Sequence, residues 1–219
     1  MVNKKPYIIA GIFSFLIFFL GFSLGFSILN LQLESLRTEM DRNELDIRNL
    51  QLELIFLNTL DNETFCSYLN DRIYQIEKNI GELGKKVVNP EKFNEEYFDI
   101  IRRRYSVSLI QDWLLSKELI NRCNVTRINV LYFFKMNCDP CIYQGYALDY
   151  LVEKNKEENI KVYALDKDLD EPIIQLLVKK YNITRAPTLV INDKKYEGFQ
   201  NKEKLKEIFC GINKNLNIC

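Results

Sequence analysis

Ile128-Asn129-Val130-Leu131-Tyr132-Phe133-Phe134-Lys135-Met136-Asn137-Cys138-Asp139-Pro140-Cys141 decides the reading of this chain. An apolar, aromatic run of strand length leads straight into a C-x-x-C. If Cys138 opens a helix, unpaired backbone N–H groups and the positive end of the helix dipole face its sulfur, and both favour thiolate over thiol. Cys141, one helical turn on, can then reach Cys138 and close a disulfide. Further along, Arg185-Ala186-Pro187-Thr188-Leu189-Val190-Ile191 places an X-Pro at the mouth of a second apolar strand. X-Pro is the one bond at which a cis peptide is cheap enough to be common.

A bare C-x-x-C is also half of a zinc site. Zinc needs four ligands, the chain has no histidine, and Cys66, Cys123, Cys210 and Cys219 are spread too widely to form a second C-x-x-C. The strand–CxxC–helix context therefore favours thiol–disulfide exchange, a chemistry that needs no metal or organic cofactor. The missing histidine excludes Ser/His and Cys/His catalysis. A formal net charge of zero, with no basic stripe carrying aromatics, argues against a nucleic-acid partner.

Residues from about Thr126 to Gly211 resemble a thioredoxin-superfamily domain. The order of signals matches: strand Ile128–Lys135, helix Cys138–Lys154, strand Ile160–Leu165, helix Glu171–Tyr181, the Ala186-Pro187-Thr188 turn, strand Thr188–Asn192, strand Lys195–Phe199 and helix Lys202–Phe209. The resemblance implies that Cys138 attacks, that Cys141 resolves, and that Ala186 and Pro187 form a cis-proline loop on which substrate backbone docks. Two positions depart from it. Thioredoxins proper carry a buried acid six residues before the first cysteine, where this chain has Tyr132, no base at neutral pH. The aromatic residue usual before the first cysteine is Asn137. Pro140 is similar to the reducing thioredoxins, and the Asp139-Pro140 pair to membrane-tethered extracytoplasmic reductases. Asp139 opposes the Cys138 thiolate by like-charge repulsion. Oxidase, reductase and isomerase all stay open.

At the other end, no charged residue occurs from Pro6 to Leu33, and Tyr7–Leu29 is almost wholly apolar. As one helix that stretch would run about 35 Å, enough to cross a hydrocarbon core of about 30 Å. Lys4 and Lys5 precede it and Glu34 is the first charge after it, which places the N-terminus in the cytoplasm. A cleaved signal peptide would have a shorter apolar region and a small-residue cleavage site. The expectation is a single-pass signal anchor in the cell membrane with the remainder extracytoplasmic. Six cysteines in 219 residues suit an oxidising space.

Phe26, Leu29, Leu33, Leu36, Met40, Asn43, Ile47, Leu50, Leu54 and Leu57 recur at alternating spacings of three and four, a heptad seam that needs a partner. That partner is either a second copy, giving a parallel homodimer, or a later helix folding back. Gly81 and Gly84 read as a turn and Asn89-Pro90-Glu91 as a helix start, so Asp61–Ile80 and Pro90–Arg122 read as arms of a helical hairpin. Arg102-Arg103-Arg104 reads as a solvated face or as ion-pair donors to the acidic stalk.

Four cysteines outside the active motif permit three pairings. Cys210 with Cys219 would staple the tail, leaving Cys66 with Cys123. From a turn at Gly84 the latter two would miss by about 30 Å, so that pair requires the second arm to break, best at Ser106-Val107-Ser108. Asn62, Asn124 and Asn182 each begin an N-x-Thr tripeptide.

The expected architecture is thus α/β: residues 1–30 a cytoplasmic tip and transmembrane anchor, 31–123 an α-helical, coiled-coil-like stalk or hairpin, and 124–219 a thioredoxin-like domain. The expected activity is thiol–disulfide exchange with protein thiols and disulfides, coupled to another redox protein. The competing reading is a membrane-anchored scaffold whose head binds partners without turnover. Thiophilic-metal delivery through the CxxC is a third.

Overall fold

The structure is a computed structural model that describes residues 14–23, 26, 45, 49, 52–53, 55–57, 59–155 and 159–219. Residues 14–23 are helical, and the large apolar side chains from Phe15 to Phe22 are each more than half exposed. None of the described helices is long and apolar enough to cross a membrane. The rest of the expected span, its Lys4-Lys5 flank and the seam positions from Leu29 to Leu54 lie outside the described residues. The chain divides into two units, Met1–Leu60 and Asp61–Cys219. The second carries the sheet.

That unit opens with α1 (Asn62–Val87), capped by Asp61, whose carboxylate accepts from the Thr64 N–H at 3.0 Å. Its apolar residues Phe65, Leu69, Ile73, Ile76 and Leu83 recur every three or four positions, so they form one stripe, and all are buried. The expected turn at Gly81 and Gly84 is absent: α1 runs through both. A helical glycine is unfavourable by about 1 kcal/mol relative to alanine, but propensity yields to packing, and a Cβ on Gly84 would already sit 3.6 Å from the Tyr105 ring. Asn89-Pro90-Glu91 starts only a single 3₁₀ turn, Pro90–Lys92. The second arm, α2 (Glu95–Cys123), starts at Asn94, whose side chain accepts from the Tyr97 N–H at 2.8 Å.

These boundaries dispose of the difficulty with Cys66 and Cys123. They form a disulfide with Cα atoms 5.7 Å apart, and α2 is unbroken through Ser106-Val107-Ser108. With the turn after Val87, the arms from it to the cysteines differ by about 10 Å of helix axis at 1.5 Å per residue, which the connection through 88–94 can span. Ser106 and Ser108 are buried inside the hairpin, where Ser108 Oγ accepts from Asn79 Nδ2 at 3.3 Å.

The sheet contains β1 (Ile128–Phe134), β2 (Ile160–Asp166), β3 (Thr188–Ile191) and β4 (Lys194–Glu197), in the order β2-β1-β3-β4. β1 is parallel to β2 and antiparallel to β3, and β3 is antiparallel to β4. The intervening helices are α3 (Asp139–Asn155) and α4 (Pro172–Lys180), with α5 (Lys202–Ile212) last. Elements and order follow the sequence expectation to within a few residues at each end.

Strand alternation assigns β1 to two cores. Ile128, Val130 and Tyr132 face Leu148 and Leu151 of α3 and Leu205 and Phe209 of α5. Leu131 and Phe133 face the other way, where Ile174 and Leu177 of α4 meet Leu109, Ile110 and Trp113 of α2. The second hairpin arm is thus one of the helices that cover the sheet. The arginine run is tied into the same region: Arg102 pairs with Asp166 at the end of β2, and Arg103 with Asp99 and Glu171. Behind α5, Cys210 and Cys219 form a disulfide that holds Leu216 and Ile218 against the first core.

Candidate functional site

β1 is buried along nearly its whole length, which fixes where its end delivers the chain. Lys135, Met136 and Asn137 leave the sheet, and Asn137 adopts φ 54°. That left-handed conformation is one asparagine tolerates and an aromatic residue does not readily take, a local reason for asparagine before the first cysteine. The turn sets Cys138 at the mouth of α3. Its carbonyl accepts from the N–H groups of Cys141 at 2.9 Å and Ile142 at 3.2 Å. Its sulfur also accepts from the Cys141 N–H at 3.2 Å. Pro140 lies in the first turn, where a missing N–H leaves no helix bond unmade.

Cys138 and Cys141 are joined by a disulfide with Cα atoms 5.2 Å apart. Both are largely buried, at 7% and 4% exposure, and Asp139 and Pro140 between them are exposed. A cavity of 440 Å³ opens onto the pair, walled by Tyr132, Phe134, Met136, Asn137, Ile142 and Ala164 among others. A separate cavity of 210 Å³, lined by Trp113, Lys117, Asn129 and Asp193, contains no cysteine.

Tyr132 has a role that sequence reasoning missed. Its hydroxyl donates to the Cys141 carbonyl at 2.5 Å, so it ties the start of α3 to β1. Burial, helped by the negative charge of Asp149, pushes the phenol up to about 12. It is therefore a fixed neutral donor near neutral pH and takes no proton from either thiol. The sequence signal was its place on the inward face of β1, but the carbonyl it meets is set by the packing of α3. Gln144 was missed as well: fully buried, it accepts from the Gln200 N–H at 2.7 Å and donates to the Gln200 carbonyl at 3.2 Å. This pair of hydrogen bonds anchors α3 to the loop before α5.

Ala186 and Pro187 are joined by a cis peptide bond. Because Thr188 pairs with Phe133, Pro187 lies at the end of β1 from which Cys138 departs. Ala186 packs against the core cluster that includes both cysteines, and the Pro187 carbonyl accepts from the Gly198 N–H at 2.8 Å. Neither residue is a wall of the 440 Å³ cavity. Cys66, Cys123, Cys210 and Cys219 form the two remaining disulfides, one at the open end of the hairpin and one at the C-terminus. No group of three or more potential metal ligands occurs among the described residues.

No protein-family profile matches the chain, and no curated protein sequence does. Among solved structures, similarity is found to the chloroplastic thioredoxin z, with 23% identity, a TM-score of 0.36, and 46% of this chain and 90% of that one covered. The germline-specific thioredoxin Deadhead of Drosophila melanogaster gives 20% identity, a TM-score of 0.35 and coverage of 47% and 93%. Thioredoxin-2 of a malaria parasite gives 22%, 0.34, and coverage of 39% and 82%.

Proposed function

We propose that this chain is a thiol–disulfide oxidoreductase acting on protein disulfides through Cys138 and Cys141. The observation that carries the reading is the Cys138–Cys141 disulfide at the mouth of α3, facing an open cavity. When the pair is reduced, the same backbone N–H groups and helix dipole favour the Cys138 thiolate.

In the reducing direction, the Cys138 thiolate attacks one sulfur of a substrate disulfide, and the other substrate sulfur leaves as a thiolate. The Cys141 thiol then loses its proton to solvent and attacks the Cys138 sulfur of the mixed disulfide. The second substrate sulfur is released, the substrate has gained two electrons, and the Cys138–Cys141 disulfide is restored. Oxidation of a substrate dithiol is the same path reversed. Solvent is the acceptor for the Cys141 proton because Tyr132 already holds its own. Ala186 offers backbone for the bound substrate beside the cis Pro187, at the same end of the sheet.

The finer reading is a membrane-tethered enzyme with its redox domain outside the cytoplasm, joined to another redox protein as electron partner, its seam taken up either by a second copy in a parallel homodimer or by a later helix of the same chain. It rests on the apolar stretch Tyr7–Leu29, on the heptad spacing, and on two disulfides remote from the reactive pair, which suit an oxidising compartment.

The experiment is insulin-disulfide reduction by the wild type and two variants. Cys138→Ser abolishes exchange, and full activity in that variant refutes the nucleophile. Cys141→Ser accumulates mixed disulfides on non-reducing gels, and their absence refutes its resolving role. Equilibration with thiol buffers gives the direction: a potential near about −270 mV marks a reductant and one near about −120 mV an oxidant.

A further inference from the structure

The cavity beside Cys138 has a neighbour that reaches beyond the thioredoxin-like elements. A second cavity, of 310 Å³, lies under the hairpin turn and is walled by Val87, Pro90, Phe98, Arg102 and Tyr105. The two share Phe134, Met136 and Ala164 as walls. They are therefore neighbours, the first opening onto the reactive disulfide and the second lying under the connection between α1 and α2.

Its lining is chiefly apolar and aromatic. Arg102 is held by Asp166 at 2.9 Å, so this wall charge is already paired within the protein. Met136, a wall of both cavities, is 63% exposed. Any protein that exchanges with Cys138 must place a cysteine there, and the residues flanking that cysteine must lie somewhere. The exchange proposed above brings one such flank to the cavity that opens onto Cys138, with the second cavity beside it.

Resting on the redox reading above, we infer that the hairpin is a specificity element. The two cavities take the segment next to the reactive cysteine of a partner protein, in extended form, with apolar or aromatic side chains seated between Met136 and the Phe98–Tyr105 wall. Uncharged, strongly polar flanks are disfavoured, since desolvating them against apolar walls gains no partner.

The test uses the full chain and two disulfide-linked peptides of equal length, one with Leu and Phe flanking the cysteine and one with Ser and Gly. Wild type is expected to prefer the apolar peptide about tenfold in kcat/KM, the scale of one buried apolar side chain. In Phe98→Asp that ratio is expected to fall close to one. Pro90→Glu, at an exposed wall position, is expected to lower it as well. Hydroxyethyl disulfide, too small to reach the hairpin, separates the two ideas. If wild type fails to exchange with it, the redox reading falls and this inference with it. If wild type exchanges with it but shows no peptide preference, or if the preference survives both substitutions, the cavity assignment alone is overturned.

Discussion

Replacing Cys66 and Cys123 by alanine removes the one covalent bond between the open ends of α1 and α2. The two cysteines are 57 residues apart, and closing a loop of that length in the unfolded chain corresponds to about 4 kcal/mol of stabilisation in the chain-entropy treatment. The same treatment gives about 2.5 kcal/mol for Cys210 and Cys219, which are 9 residues apart. The prediction is thus a ranking as well as a size. For a unit the size of Asp61–Cys219 the first loss lowers Tm by about 8–16 °C. The assay is urea and thermal unfolding of both double variants in a Cys138→Ala/Cys141→Ala background, which prevents thiol exchange from scrambling the remaining bridge. The structure adds a spatial expectation. α2 is held by the sheet, whereas α1 packs chiefly on α2. Beside the disulfide the Arg122 guanidinium lies 3.5 Å from the Phe65 ring centre and donates to Asn62 Oδ1 at 3.5 Å. Amide exchange is therefore expected to rise first around Phe65 and Leu69 while Leu109–Trp113 stays protected. A loss below about 1 kcal/mol, or one smaller than that of the Cys210–Cys219 variant, refutes the view that this staple constrains the unfolded chain.

Other perturbations follow from the polar contacts. Lys161 bridges Asp112, which is 3% exposed, and Glu77; Lys161→Met leaves that carboxylate without its nearest cation and is expected to destabilise by about 3–5 kcal/mol, most of it recovered in Lys161→Met/Asp112→Leu, as denaturant midpoints will show. Tyr132 is raised to about 12 from an ordinary 10.0, so its contribution is fully present below pH 10 and is lost as pH rises through 10 to 12. Tyr132→Phe should therefore lower stability at pH 7 by about 1 kcal/mol yet flatten this part of the alkaline decline in Tm. An unchanged alkaline slope would contradict the assignment. The Asp193 carboxyl is held below its ordinary 3.8 by hydrogen bonds from Lys117 and then Tyr181. Its stabilisation is present above that value and fades as pH falls beneath it, so Asp193→Asn should lose stability at pH 6 and show a shallower decline below pH 4.

Sequence reading located the sheet and the cysteines well because their signals are local. β1 is a buried apolar run, the C-x-x-C is contiguous, and Ala186-Pro187-Thr188 precedes an apolar strand, so each was visible within a few residues. The hairpin was read less well. Gly81 and Gly84 looked like a turn by propensity, but propensities near 1 kcal/mol lose to the burial of a stripe from Phe65 to Leu83. Asn89-Pro90-Glu91 looked like a cap, yet the cap is Asn94. Those errors made the Cys66–Cys123 distance look prohibitive, although the pairing itself was among the expectations.

By itself the sequence determined the order of elements in the α/β region, the contiguous Cys138–Cys141 motif, and the absence of any acid at Tyr132. Periodicity and motif spacing are properties of neighbours along the chain, and they survive without coordinates. Only the tertiary structure decided that α2 covers one face of the sheet, that the Tyr132 hydroxyl meets the Cys141 carbonyl, and that the cavity at Cys138 shares walls with one beneath the hairpin. Those are meetings of residues far apart in sequence. They are fixed by which apolar faces bury one another, a choice that no local pattern encodes.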